Sequence, residues 1–310
     1  MTNVNDRIST RQNSERSIKI LAAQRQMYKD AKCISHCQFV ICVLLPIIIV
    51  FVKPSIPSNT AALGIITLLS ILIITLNSFV FEKIVKHKKE KAARFQELFD
   101  TTVLDLNWND SLCGSRGQAA HDLDRMFKKY SKKNNTLDNL KDWYPQEYSE
   151  VEVSAGRIMC QQVNTIWDGK LREYFQCFLK LLFIFSVLII MIVGALKNDS
   201  FVNTIVSIVV PIVPIGIYVY KQYTDNKATI SRSSRLSYEA DHLWKKLLSN
   251  VENSELLECS RKLQNDIYKH REGALMIWDW FYWIFRNHQE DNMKLSAEVV
   301  VEEYKNSRSS

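Results

Sequence analysis

The sequence predicts an all-α protein: four transmembrane helices in two hairpins plus a mainly helical cytoplasmic domain. Three observations predict it. Four long apolar runs, near Cys37–Val52, Ala61–Phe81, Leu181–Leu196 and Phe201–Tyr220, stand out from a polar remainder. The gaps inside each pair, Lys53–Thr60 and Lys197–Ser200, are too short to hold a domain. Elsewhere helix breakers are scarce: of six prolines, only Pro145 lies outside the runs and the first hairpin tip. Few breakers and no strand-turn alternation argue for helices.

Each run approaches the ~20 residues that an α-helix needs to cross ~30 Å of hydrocarbon. The third reaches that length only when extended back to about Phe175. Lys180 then falls at its edge, where the long stem can snorkel to the headgroups. The first run comes after a long polar stretch and has no small-residue cleavage site before the next run, so it reads as a retained span. The spans are placed at 33–52, 61–81, 175–196 and 201–220. An even number puts both termini on one side. Of 40 Lys and Arg, only Lys53 and Lys197 lie in the hairpin tips, and short cation-poor loops go outward. Lys83, Lys86, Lys88, Lys89 and Lys91 come closely after the second span. Residues 1–32, 82–173 and 221–310 are therefore expected in the cytoplasm.

Within 1–32, a helix from about Asn13 has Ile18, Leu21, Ala22 and Tyr28 on one side and should run straight into the first span. Glu82–Leu106 should continue out of the second, with Ala92, Phe95, Leu98, Phe99, Val103 and Leu106 spaced by three and four. A polar break at Asn107–Gly117 contains Trp108. Next come a helix at Gln118–Tyr130 and a Lys-, Asn- and Ser-rich loop at Ser131–Asp138. Ser154–Tyr174 should lead into the third span. Beyond the fourth, helices are expected at Ile230–Asn250 and Ser254–Lys294, the second broken near Gly273. Segments 82–173 and 221–310 are expected to pack together as one helical domain.

Composition and motifs exclude more chemistry than they suggest. The net charge of +7 fits ordinary topology and attraction to anionic headgroups, or a surface for an anionic ligand. Seven cysteines form no disulfide framework, and cytoplasmic thiols stay reduced. Cys33 and Cys37 share a helix face but have no partner at metal-ligand spacing. The six histidines form no zinc-hydrolase pattern, and there is no phosphate-binding glycine loop or nucleophile elbow. His121, Asp122 and Asp124 do not share a helix face. No catalytic residue, metal site or resident cofactor is expected, and the chain does not read as an enzyme.

Four clusters remain. In 160–172, Gln161, Asn164, Asp168 and Arg172 line one helical stripe; Cys160, Asn164, Trp167 and Leu171 line its neighbour. Amides, an Arg and a Trp can hold a nucleobase and a phosphate, or form a polar interhelical network around a core Trp. Asp105–Asp110 reads as a capping loop or as part of a ligand pocket. Trp278–Arg286 reads as helix packing, a headgroup-level belt or a subunit contact. On the second span, Thr67, Ser70, Asn77 and Ser78 fall on one side, which suits a pore lining in an oligomer or helix-packing contacts. Pro211, Pro214 and Gly216 can kink the fourth span. No span carries a central charge, which argues against an ion-coupled transporter.

Short motifs along nearly the whole chain resemble one bacterial family. They are Arg11-Gln12-Asn13 with Leu21-Ala22-Ala23-Gln24-Arg25 and Tyr28; Phe99-Asp100 with Leu106-Asn107-Trp108-Asn109; Trp143-Tyr144; Cys160-Gln161, Asn164, Trp167-Asp168 and Leu171-Arg172; Leu263-Gln264, Ile267-Tyr268 and Arg271; and Trp280-Phe281-Tyr282. The family is the SMODS-associating four-transmembrane effectors. The chain departs from it at Asp279, where a proline is expected. The resemblance implies a multi-pass protein of the bacterial inner membrane acting in cyclic-oligonucleotide anti-phage signalling. Its activating ligand would be a cyclic di- or trinucleotide. Its partners would be the lipid bilayer, further copies of itself and that messenger, with no DNA or RNA. Its action would be oligomerisation that permeabilises the membrane. Chemistry rather than the resemblance assigns the messenger pocket to Arg157, Gln161, Asn164, Trp167 and Arg172, with Trp108 for stacking. The alternatives are a membrane-anchored helical scaffold or a channel subunit without nucleotide sensing.

Overall fold

The computed structural model describes residues 7–52, 60–134, 136–166, 169–196, 201–249, 251–285 and 287–309. Both hairpin tips, 53–59 and 197–200, lie outside the described residues. No strand occurs among the described residues. The helices are α1 (Ile8–Gln12), α2 (Glu15–Phe39), α3 (Leu45–Val52), α4 (Thr60–Leu76), α5 (Glu82–Val103), α6 (Asp110–Cys113), α7 (Arg116–Ser131), α8 (Val153–Ile166), α9 (Gly169–Ala195), α10 (Phe201–Leu248), α11 (Asn253–Gly273), α12 (Asp279–Phe285) and α13 (Asn287–Ser309). One π-turn, Val40–Leu44, joins α2 to α3, and another, Asn77–Phe81, joins α4 to α5.

Three helical stretches among the described residues are long and apolar enough to cross a membrane: Glu15–Val52, Leu68–Val103 and Leu171–Ala195. The sequence predicts four. The fourth run, Phe201–Tyr220, is helical as the first part of α10, and the side chains of residues 201–207 lie outside the described ones. Outward-facing side chains on the spans are large and apolar: Leu68, Leu72, Phe79, Phe185 and Ile192 are all exposed. That pattern suits helices solvated by lipid.

The chain forms two compact units. The polar unit comprises Met1–Asp30, Lys88–Leu171 and Thr229–Ser310; the span unit comprises Ala31–His87 and Arg172–Ala228. In the span unit, Gln38 and Asn77 are buried, and the Gln38 Nε2 donates to Asn77 Oδ1 at 2.9 Å.

The polar unit is built on α5. Its apolar stripe, Ala92, Phe95, Leu98, Phe99 and Val103, is buried in one core with Ile18 and Leu21 of α2, Ile158 and Met159 of α8, and Leu263 and Ile267 of α11. The helix stops at Val103, short of the predicted Leu106. Asp105 there takes a left-handed backbone (φ 55°), and the Leu106 N–H turns back to the Thr101 carbonyl at 3.0 Å. This is the helix-ending hydrogen bond of a Schellman motif, with an Asp in the place usually held by Gly. The fourth run and the helix beyond it form one unbroken α10, with Pro211 and Pro214 inside it. The long helix expected at Ser254–Lys294 is interrupted after Gly273 and resumes as α12 and α13.

The N-terminal motif Arg11-Gln12-Asn13 docks on the loop between α7 and α8. Gln12 pairs with the backbone of Tyr144: its Nε2 donates to the carbonyl at 3.1 Å, and the Tyr144 N–H donates to its Oε1 at 2.7 Å. Asn13 pairs with Asp142, its Nδ2 donating to the carboxylate Oδ1 at 2.8 Å and its Oδ1 accepting from the Asp142 N–H at 3.0 Å. Close by, α8 packs directly on the same loop: a Cβ at Gly156 would lie 2.5 Å from the Tyr148 carbonyl oxygen and 2.8 Å from Ile8 Cδ1.

Gly156→Ala should therefore destabilise the polar unit by about 1–3 kcal/mol, the usual cost of overpacking. Gly117→Ala, where only Ser115 Oγ lies near, at 3.6 Å, should be neutral or slightly stabilising. Thermal unfolding of the detergent-solubilised variants would read the contrast.

Candidate functional site

Two carboxylates, Glu97 and Asp100, lie one turn apart on α5 and are wholly buried. Their partners come from α11, where Arg261, Gln264 and Arg271 fall on one face at helical spacing. Arg261 donates to Glu97 Oε1 at 2.7 Å. Gln264 Nε2 donates both to Glu97 Oε2 at 2.8 Å and to Asp100 Oδ2 at 2.9 Å. Arg271 Nη1 donates to the same Asp100 oxygen. Tyr144 closes the other side, its hydroxyl donating to Asp100 Oδ1 at 2.7 Å.

The network extends into α8. Asn164 Nδ2 donates to the Tyr144 hydroxyl at 2.9 Å. Gln161 Nε2 donates to the Ser260 carbonyl at 2.9 Å and to Gln264 Oε1 at 3.1 Å, and Gln161 Oε1 accepts from the Ser260 hydroxyl at 2.7 Å. α5, α8, α11 and the Tyr144 loop thus meet through side-chain hydrogen bonds in the core.

The electrostatics reflect burial. Glu97 is pushed above the ordinary carboxylate value by desolvation; Arg261 pulls it down and Asp100 pushes it up further. For Arg271, burial alone would lower the pKa, but Asp100, Tyr144 and Tyr28 more than offset it, and the net shift is upward. The buried thiols of Cys160 and Cys113 are raised by desolvation, Cys113 to about 12. A thiol so raised stays protonated and is a poor nucleophile. The charges balance, two carboxylates against two guanidiniums, which is the condition for keeping ions inside a protein. Among the described residues, no group of three His, Cys, Asp or Glu is placed to hold a metal ion.

The sequence-derived pocket residues have different partners. Gln161 and Asn164 belong to this network. Arg157 is buried at the end of α5, where its Nε donates to the Leu104 carbonyl at 2.6 Å and Nη2 to that of Asp105 at 3.2 Å. Burial lowers its pKa, partly offset by Asp105. Trp108 is half-buried, and its indole N–H donates to the Gly114 carbonyl at 2.8 Å. Arg172 lies in the span unit and is buried; its carbonyl accepts from Asn226 Nδ2 at 2.8 Å. Trp167 lies outside the described residues. Of the four pore-lining candidates, Ser70 and Asn77 are buried within the span unit, and the side chains of Thr67 and Ser78 lie outside the described residues.

Sequence reasoning missed Glu97, Asp100, Arg261, Gln264, Arg271 and Tyr144 as one centre. The available signal was on α5, where two carboxylates interrupt an otherwise apolar stripe. The loop after α5 is clamped to α11 from outside the core: Arg261 Nη1 donates to the Asn107 carbonyl at 2.8 Å and Asn109 Nδ2 to Asn265 Oδ1 at 3.2 Å. A separate open cleft of about 890 Å³ lies among Glu150, Glu152, Glu252, Tyr304, Lys305 and Arg308. Three glutamates against two cations make it a poor receptor for a polyanion.

Known proteins are similar to this chain over nearly its full length. The SMODS-associating 4TM effector domain family matches residues 6–300. A probable CBASS effector molecule of Bacillus cereus is 26% identical over 297 residues, which cover 91% of this chain and 94% of that protein. No solved structure matches the chain.

Arg271→Ala leaves Asp100 buried without its cation and should cost about 3–5 kcal/mol, read as a loss of folded protein on chemical denaturation. Glu97 gives a pH signature. Its folded pKa is raised above the ordinary 4.5, so the native state binds the extra proton. Below pH 4.5 its contribution is at its most favourable; it is lost as pH rises through the raised value. The stability of the wild type relative to Glu97→Gln should accordingly fall as pH is raised above 4.5, which parallel denaturation series would show.

Proposed function

This chain belongs to the SMODS-associating 4TM effector family, and from that premise we propose that it is a membrane effector of anti-phage defence that senses a cyclic oligonucleotide. Its polar unit faces the cytoplasm and binds the messenger, and copies then assemble to permeabilise the inner membrane. The effector acts by assembly, without an enzymatic step. The observation that carries this reading is the match along nearly the whole chain, both to the family and to a relative named as a probable CBASS effector.

Two structural features support it. First, α5 continues from α4 through a π-turn, and α10 runs unbroken from the fourth apolar run into the polar unit. The helix that carries Glu97 and Asp100 is therefore covalently continuous with a span, so rearranging their network acts on that span's helix. Second, the four ions of the network, Glu97 and Asp100 with Arg261 and Arg271, sum to zero, so the net charge of +7 belongs to the rest of the chain, where it attracts a polyanion.

Of the residues that sequence chemistry assigns to the messenger, Arg157, Gln161, Asn164, Trp167 and Trp108 belong to the polar unit and are the proposed contacts there; Arg172 belongs to the span unit. Asn164 and Trp108 are half-buried and within reach of solvent; Arg157 and Gln161 are buried and engaged. A ligand that needs the buried pair binds a loosened polar unit better than the closed one. Such differential affinity is what a ligand requires to shift a conformational equilibrium. On assembly, Thr67, Ser70, Asn77 and Ser78 of α4 and its π-turn would face the pore.

Dye leakage from liposomes carrying the full-length protein, against a panel of cyclic di- and trinucleotides, tests the proposal. One member should trigger leakage. Trp167→Ala should remove the response and the calorimetric binding signal while leaving the protein folded, and Arg172→Ala should remove the response; unchanged affinity in the first and unchanged leakage in the second would take each residue out of the mechanism. A correctly inserted protein that binds a messenger but never leaks would be a scaffold.

A further inference from the structure

We propose that Arg25 and Lys29 of α2, with the ring of Trp143, form a nucleotide anchor on the polar unit, the cations taking phosphate and the ring taking the base. This rests on the nucleotide sensing proposed above and gives it side chains outside the buried network.

α2 is short of anions. Its only carboxylates are Glu15 and Asp30, and both are taken. Glu15 pairs with Lys19 at 2.6 Å, and Asp30 pairs with Lys129 at 2.5 Å and with Lys88 at 3.7 Å. Among the described residues, neither Arg25 nor Lys29 has a carboxylate partner. Four residues apart, the two stand on one face of the helix. Arg25 is half-buried and Lys29 is exposed. A lone surface lysine is ordinary; this pair is distinguished by what lies beside it.

The Arg25 guanidinium lies over an aromatic ring, its carbon 5.8 Å from the centre of Trp143. A guanidinium in that position is attracted by the ring and keeps its N–H edge for a bidentate partner. Trp143 is half-buried and packs edge-on to Phe99, with 6.1 Å between centroids. Gln12 holds both backbone polar groups of the adjoining Tyr144, so the loop presents the ring from a set position. Tyr28, three residues after Arg25 on the same side of α2, lies within electrostatic reach of Arg271 and Asp100. The anchor therefore adjoins the buried network without drawing on its ions.

The chemistry selects the ligand. A phosphate accepts two parallel hydrogen bonds from a guanidinium, and an ammonium adds a point charge. A base stacks on an aromatic ring or on a guanidinium plane. An inorganic anion would use the cations alone, and an uncharged aromatic ligand the ring alone; a nucleotide uses both. The anchor also stands on a helix that runs on through the π-turn Val40–Leu44 into α3, so a ligand held there acts on a helix leading into the first span.

Calorimetric titration of the detergent-solubilised full-length protein with the panel of cyclic di- and trinucleotides tests this. For a member that binds the wild type, Arg25→Gln should weaken affinity roughly 10- to 100-fold, the effect of losing a charge-assisted hydrogen bond. Trp143→Leu should weaken it about tenfold or more by removing the stacking face. Lys29→Gln should weaken it less and flatten its dependence on salt. Trp143→Phe keeps a ring against Phe99 and should bind nearly as the wild type does. So should Arg235→Gln, which removes an exposed cation paired with Glu239 on α10. Thermal unfolding would establish that each variant is folded. Full affinity in either Arg25→Gln or Trp143→Leu would overturn the anchor and leave nucleotide sensing standing. A wild type that binds no member of the panel would overturn both.

Discussion

Two carboxylates on one turn of α5 are taken completely out of water, and the rest of the polar unit is arranged around the cost of doing so. An ion in a low-dielectric interior is tolerated only when its charge is paired and its lone pairs are filled. Asp100 collects Arg271, Gln264 and Tyr144, and Glu97 collects Arg261 and Gln264. These donors come from segments far apart in sequence. Satisfying the two carboxylates therefore fixes where α11 and the Tyr144 loop sit against α5. A core made only of the Phe95, Leu98, Phe99 and Leu263 contacts would tolerate sliding more readily, because apolar attraction has no direction.

The N-terminal motif completes that construction. Gln12 holds the backbone of Tyr144 from one side while the Tyr144 hydroxyl reaches Asp100 from the other. Arg11 and Arg157 both reach the carbonyl end of α5, where unpaired carbonyls and the helix dipole favour cations. Residues scattered over nearly the whole chain, among them Arg11, Gln12, Asn13, Asp100, Tyr144, Gln161, Gln264 and Arg271, thus serve one assembly. The family resemblance runs through those same positions, and this packing gives them a shared physical reason.

What could be read from the sequence was local. Hydropathy over twenty residues marks the spans, and spacing by three and four marks α5 and α7, because both signals are complete within one helix. The hydrogen bonds of the network are not local: Gln12 and Tyr144 are 132 positions apart, and Asp100 and Arg271 are 171 apart. Spacing along one helix cannot reveal such partners. It showed that Gln161 and Asn164 lie on a polar stripe but left their role open between ligand contact and interhelical bonding. In the structure Gln161 bonds α8 to α11, and Asn164 bonds it to the Tyr144 loop. Arg157 shows the same limit. Its charge suggested a phosphate, whereas its neighbours are backbone carbonyls, which no side-chain pattern announces. Asp105 ends α5 earlier than the apolar repeat indicates, because a single left-handed residue outweighs the one apolar position beyond it, Leu106.

Charge balance also sets the terms on which such a unit can switch. With two anions facing two cations, the closed network has no surplus charge for a polyanionic ligand, and Gln161 is already engaged on both its amide atoms. A ligand phosphate that took Arg261 or Arg271 would leave Glu97 or Asp100 uncompensated in the core. That penalty is relieved only if the carboxylate gains a proton or water reaches it. Opening the unit supplies water; the raised pKa of Glu97 makes protonation the easier route at that residue. Both routes loosen the hold of α11 on α5, and α5 is the helix that runs on from a span. The network is thus held by the same kinds of group that a multiply charged anion would engage. Arg261 is its cation nearest solvent: the guanidinium bridges the exposed Asn107 carbonyl and the buried Glu97.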